Sequence, residues 1–248
     1  MPPRPLSYGS GGYNLVLPNT GRAKALRVCC WLMIATHVFT IGVQAADMAL
    51  AKPIFDASDA GDMATVDSYS LPLIAASGLA LLLLLGCGLA FWITLGMWIY
   101  RAVSNVRAAT GDSHAGPGWS VGWWFVPFAN LVVPFRVLKD LWSRSGADQR
   151  TGKESLPGIF WTLWIGSVIL GVISNAIERG SEDLYGDELL RMIYVLDSVV
   201  ILGSIVTIGA YYLLIGITKG VTNPSEANTL TQQMAQPHAQ PHAWAPPS

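Results

Sequence analysis

Charged side chains are scarce in this sequence, at 12% of its 248 residues against 52% hydrophobic ones. An ordinary soluble domain carries roughly 25% charged residues, so a water-facing globule of this length is excluded. No sign of charge is in excess, with fifteen Lys and Arg against sixteen Asp and Glu and a formal net charge of -1. That balance excludes a generally basic surface and, with it, nucleic acid as a partner. Cysteine is rarer still, with three residues. Cys29 and Cys30 adjoin in one apolar run and Cys87 lies in another, which excludes a disulfide framework and any four-cysteine metal centre. All three read as small apolar residues. HExxH, GxSxG, Walker-type and post-strand GxGxxG signatures are missing as well. The sequence therefore assigns no catalytic residue, metal site or cofactor.

What is present is long apolar sequence. A helix needs about 20 residues to cross a bilayer at 1.5 Å rise per residue. Four stretches qualify: Ala25 to Ala49, Leu71 to Tyr100, Ile159 to Ile177 and Met192 to Ile217. The spacing predicts an all-α integral membrane protein with four transmembrane helices in two hairpins, a membrane domain over residues 25–220, and disordered tails over 1–24 and 221–248. Basic residues near span ends are retained on the cytoplasmic side. Arg4, Arg22, Lys24 and Arg27 precede the first span, and Arg101, Arg107, Arg136, Lys139, Arg144, Arg150 and Lys153 separate the second from the third. The remaining connections are acidic, with Asp56, Asp59, Asp62 and Asp67 in one and Glu178, Glu182, Asp183, Asp187 and Glu188 in the other. The alternation predicts an inner-membrane protein with both termini and the central segment cytoplasmic. A competing reading takes the first span as a signal peptide cleaved near Ala45 and Ala46.

The central stretch Gly116 to Trp142, GPGWSVGWWFVPFANLVVPFRVLKDLW, is apolar without resembling a span. Pro127 and Pro134 interrupt helix hydrogen bonding, and a crossing here would invert the charge pattern downstream. Trp119, Trp123, Trp124, Phe125, Phe128, Phe135 and Trp142 suit the headgroup level, where an amphipathic ring has one dry and one wet neighbour. From Pro134 onward Phe135, Leu138, Leu141 and Trp142 fall on one helical face, while Arg136, Lys139, Asp140 and Arg144 take the other. The expectation is a re-entrant or interfacial segment over about residues 116–145, with Phe135 to Arg144 lying along the membrane surface.

These residues also carry a resemblance. Trp98, Tyr100, Arg101, Asn105 and Arg107, followed by Pro117, Gly118, Trp119, Gly122, Trp123, Trp124, Phe125, Pro127, Phe128, Asn130, Leu131, Pro134 and Trp142, resemble the signature of the bacterial domain-of-unknown-function family 4328. The similarity runs from about Trp31 to Gly220. It implies a small polytopic bacterial membrane protein and supplies no catalytic residues; the tails lie outside it.

Two groups of residues are candidates for function. Arg101, Asn105, Arg107, Trp119, Trp123, Trp124, Asn130, Arg136, Lys139 and Trp142 could meet lipid phosphates or a membrane protein partner, the guanidinium fork suiting phosphate and carboxylate alike. The plainer reading of their charges is positive-inside anchoring. Arg136 to Glu154 carries five basic and three acidic residues, a modest attraction to anionic lipid. His37, Asn175 and Asp197 are polar groups inside spans, where they are costly. Asp197 with His37 could relay protons or bind a cation; the plainer alternative is capping, snorkelling or an interhelical hydrogen bond. Ser167, Gly171 and Asn175, and separately Gly216 and Gly220, form small-residue stripes that suit packing inside the bundle or homo-oligomerisation. In the tail, His238 and His242 repeat within AQPH, a weak metal-binding composition. The sequence thus favours a non-enzymatic partner-binding or regulatory membrane protein that uses its Trp- and Pro-rich segment as a platform, with a small transporter or channel subunit as the alternative.

Overall fold

A computed structural model of the chain describes residues 17–110, 115–180 and 184–222. Arg4, His114, Glu182, Asp183, His238 and His242 lie outside the described residues. All regular structure among the described residues is helical. Four helices are long and apolar enough to cross a membrane: α1 (Thr20–Asp59), α2 (Met63–Thr110), α6 (Leu156–Gly180) and α7 (Gly186–Val221). Between α2 and α6 come α3 (Pro117–Gly122), two 3-10 turns, α4 (Val133–Arg144) and α5 (Ala147–Thr151).

Each long helix overruns the apolar stretch that announces it. α1 begins at Thr20, inside the stretch expected as a disordered tail, and α2 begins at Met63, eight residues before the expected Leu71. The early start of α2 has a local cause. Asp62 accepts from the Thr65 backbone N–H at 3.2 Å and from the Thr65 hydroxyl at 2.6 Å, capping the helix. The same two donors hold the Asp62 carboxyl below the usual carboxylate range. The preceding turn needs Gly61, whose φ of +74° carries no Cβ penalty.

α1 packs along both α2 and α7, and α6 packs along α7. Small residues set the closeness of α6 and α7. A Cβ at Gly209 would stand 3.2 Å from Leu163, one at Gly203 3.5 Å from Leu170, and one at Gly166 3.8 Å from Val206. These glycines, rather than the Ser167, Gly171 and Asn175 stripe, form the packing seam. Gly171 and Asn175 are exposed, and the Asn175 amide donates to the Gly171 carbonyl at 2.8 Å within its own helix. Gly216 and Gly220 are used inside the chain, against Leu156 and Trp142. On the outside of α2, Leu81, Leu82, Leu85, Leu89 and Ile93 are exposed. A row of such residues is unstable against water and at ease against lipid, so the bundle is that of a membrane-spanning protein.

Candidate functional site

The central segment folds as two short arms that meet at a bend of 107°. Gly116 is extended and Pro117 occupies the first turn of α3, where its missing N–H costs nothing. A 3-10 turn, Trp123–Phe125, continues the first arm. After the bend a second 3-10 turn, Ala129–Leu131, leads into α4, with Pro134 in its first turn. Pro134 thus starts a helix instead of interrupting one. At the apex Phe128 has φ +62° and ψ -41°, a conformation strained for any residue with a Cβ.

One half of the segment is fastened to the bundle. Trp124 is buried, with its ring 5.7 Å from Trp92 of α2 and 5.8 Å from Trp161 of α6, both edge to face. Trp92 in turn meets Trp164 at 5.8 Å, also edge to face. Such pairs contribute about 0.5–1.5 kcal/mol each beyond their buried area. The Trp161 indole N–H donates to the Leu131 carbonyl at 3.0 Å, and Phe135 stacks on Trp161 at 6.2 Å. α3 approaches α2 over Gly96, where a Cβ would stand 3.2 Å from Val121.

Trp142 closes the other end. It is buried, its indole N–H donates to the Lys153 carbonyl at 3.0 Å, and its ring covers Gly220 of α7 so closely that a Cβ there would stand 2.3 Å away. Beside it the Arg150 guanidinium donates to the Gly220 carbonyl at 2.8 Å. Val137, Leu138 and Leu141 are buried too, so the apolar face of α4 is turned into protein rather than laid on a lipid surface. Arg136, Lys139 and Arg144 occupy its outer face, with Arg144 held by Asp140 at 2.6 Å.

The ten residues expected at one contact surface therefore divide. Trp119, Asn130, Arg136 and Lys139 are exposed, as is Arg107, and Trp123 is half-buried beside Trp119 with ring centroids 5.0 Å apart. Trp124 and Trp142 are internal. Asn105 is internal as well: its carbonyl accepts from the Leu17 N–H at 3.0 Å and its amide donates to the Leu17 carbonyl at 2.8 Å. That clamp fixes the chain entering α1. Arg101, one turn away, is half-buried, with its Nε enclosed and without a hydrogen-bond partner. Trp98 completes the junction, its indole N–H donating to Thr222 at 3.0 Å and its carbonyl accepting from the Asn19 amide at 3.3 Å.

The structure does not bring His37 and Asp197 together. The His37 ring lies 6.0 Å from that of Tyr211, about four helical turns or 20 Å along α7 from Asp197. Asp197 is 2% exposed, and one of its oxygens accepts from the Gln44 amide at 3.2 Å. Its second oxygen is enclosed without a hydrogen-bond partner. Asp47, one turn beyond Gln44 on the same face of α1, lies within coulombic reach. Among the described residues no group of three His, Cys, Asp or Glu side chains is placed to hold a metal ion.

Gln44, Asp47, Trp92, Trp161 and Trp164 belong to these sites and were not among the sequence candidates. A signal existed for the last two, since Trp161 and Trp164 stand three apart on one helical face at the start of a span.

Comparison with known proteins adds one finding. A family model described as a domain of unknown function (DUF4328) matches residues 59–222. The match takes in the central segment and three of the four long helices. It starts at residue 59, so α1, which the resemblance from Trp31 onward was expected to include, lies almost wholly before it. No curated protein and no solved structure matches the chain significantly.

Proposed function

Because the chain belongs to the DUF4328 family, whose description carries no activity, we propose its role from the geometry: a non-enzymatic membrane protein that binds or regulates a membrane partner through the bent aromatic segment. In this reading the basic ends of the helices and both termini face the cytoplasm of a bacterial cell. The segment enters the inner leaflet of the cell membrane and returns, in keeping with the positive-inside bias. The carrying observation is the apex. Phe128 is 86% exposed and holds a strained backbone, and Phe125 and Trp119 on the arm that leads to it are 70% and 62% exposed. Such strain costs about 1–3 kcal/mol and is retained where the conformation serves a contact. Because Trp124 and Trp142 fix the arms from inside, the apex is presented on a rigid support and loses little entropy on binding. Arg136 and Lys139 on the neighbouring arm add contacts for lipid phosphate or for a partner's carboxylates.

Photocrosslinking in the native cell tests this, with a photoreactive residue at Phe128 in one strain and at Arg144 in another. A recurrent protein adduct confined to Phe128 is the expected result. Lipid adducts alone at both positions would reduce the segment to an anchor. A second reading, a small transporter or channel subunit, is favoured by one observation, the buried carboxylate of Asp197 between α1 and α7. Ion flux in proteoliposomes that persists unchanged in Asp197→Asn would refute it.

A further inference from the structure

The outer half of the α1–α7 interface contains an acid that neither the aromatic segment nor the helix packing employs. Asp197 is 2% exposed on a membrane-spanning helix, one oxygen is bonded to Gln44 at 3.2 Å, and the other is enclosed without a hydrogen-bond partner. The charges nearby make its position worse. Asp47 of α1 bears on it with a charge of the same sign. Lys52 and Arg191, the described cations next along α1 and α7 toward the same end, do not compensate. Lys52 is bonded to Asp56 at 3.0 Å and interacts further with Asp187 and Tyr194, while Arg191 is exposed.

A bare carboxylate buried on a membrane-spanning helix is costly, and a second acid beside it raises that cost. Hydrophobic packing cannot repay it and Gln44 offers only one amide dipole. Positive charge must therefore come from outside the described residues. We propose that Asp197, Asp47 and Gln44 form a site for a monovalent cation, a proton or an alkali metal ion, set between α1 and α7. The free oxygen of Asp197 and the Asp47 carboxylate are its negative ligands, and the Gln44 carbonyl is available as a neutral one. A proton would sit on the unpartnered Asp197 oxygen; Na+ would be held between the two carboxylates. The site pins α1 to α7 and is required whichever partner the aromatic segment meets. It does not require transport, so absence of ion flux would leave it standing.

Infrared spectroscopy of the full chain in lipid nanodiscs decides between the two cations. If the ligand is a proton, a carboxyl C=O band persists at neutral pH in Na+-free buffer, shifts in D2O, and is lost in Asp197→Asn. If it is Na+, carboxylate bands shift on adding NaCl but not choline chloride. Thermal unfolding provides the second readout. Saturation with the bound cation, by acid in one titration and by Na+ in the other, is expected to raise the wild-type Tm by about 5 °C or more. Asp197→Asn, which is isosteric and neutral, should show no such rise. Asp47→Asn supplies the comparison should Asp197→Asn not fold, and is expected to weaken the Na+ response at least tenfold in concentration. No protonated carboxyl band at neutral pH, together with wild-type spectra and Tm indifferent to Na+, would overturn the site.

Discussion

The contact between Trp142 and Gly220 gives a prediction in which the sign, and not only the size, of an effect is at stake. In an isolated helix Gly→Ala is stabilising by about 1 kcal/mol, because glycine has the greater backbone freedom to lose. At position 220 the new methyl would stand 2.3 Å from the Trp142 ring and 2.6 Å from a second atom of the same ring. Trp142 has little room to retreat: it is 2% exposed and its indole N–H is committed to Lys153. Overpacking of a fixed core typically costs about 1–3 kcal/mol. Gly220→Ala should therefore be net destabilising, by up to about 2 kcal/mol, in the wild type. In a Trp142→Ala background, itself destabilised by about 3–5 kcal/mol, the clash is gone and the methyl keeps Ala147 as a neighbour at 3.4 Å, so the same change should stabilise by up to about 1 kcal/mol. The four proteins of this cycle can be compared by SDS-induced unfolding from mixed micelles, followed by tryptophan fluorescence. A Gly220→Ala effect of the same sign in both backgrounds would refute the claim that Trp142 docks on α7 through the missing side chain.

Three further outcomes are expected. Asn105→Ala should strand the Leu17 amide and carbonyl, costing about 1–3 kcal/mol, and a cysteine at Leu17 should then be labelled faster by a water-soluble maleimide; equal labelling rates would show that the clamp is idle. Phe128→Gly should relieve about 1–3 kcal/mol of backbone strain against about 0.5–1 kcal/mol of added chain entropy, giving a more stable protein by SDS-induced unfolding, and a destabilised variant would contradict the strained geometry. Asp62 contributes by accepting from Thr65, and its folded-state carboxyl lies below the ordinary value, so its contribution is present above about pH 4 and is lost as pH falls through the folded value. Protection of the Thr65 amide, taken against its intrinsic exchange rate at each pH, should fall over that acid range in the wild type and already be low in Asp62→Ala at neutral pH.

The four long helices could be read from the sequence because their cause is in the sequence: uninterrupted apolar length is local, and hydropathy measures it. Their ends could not be read that way. Asp62 and Thr65 start α2 by polar capping, to which an apolar window is blind, although a carboxylate three residues before a threonine was there to be noticed. The division of the aromatic segment was illegible for a different reason. Trp119 and Trp124 are the same residue type in the same irregular stretch, where no helical or strand period separates inside from outside. What buries Trp124 is Trp92 and Trp161, each more than thirty residues away, and only the folded chain puts them side by side. Asn105 shows the opposite limit. It stands with Arg101 among the residues expected at a contact surface, but the partner that takes it inward is the backbone of Leu17, and a backbone partner leaves no trace in residue identity. Asp197 stood out as an acid inside a span, whereas its neighbour Gln44, uncharged and unremarkable in composition, did not.

The junction at the end of α7 has a consequence for how the protein is made. Thr222 receives the Trp98 indole, Gly220 receives both the Trp142 ring and the Arg150 guanidinium, and α7 as a whole is the surface against which α1 and α6 settle. A ribosome delivers α7 after the other helices among the described residues. Until then α1 has only α2 for company, the carboxylate-facing side of Gln44 is open, and the ring of Trp142 has no glycine to lie on. Insertion into the bilayer can proceed helix by helix, but closure of the bundle has to wait for the segment around Thr218 to Thr222 to emerge. A chain stalled before that point would be threaded through the membrane and still unassembled, with its aromatic segment untethered at one end and within reach of quality-control proteases.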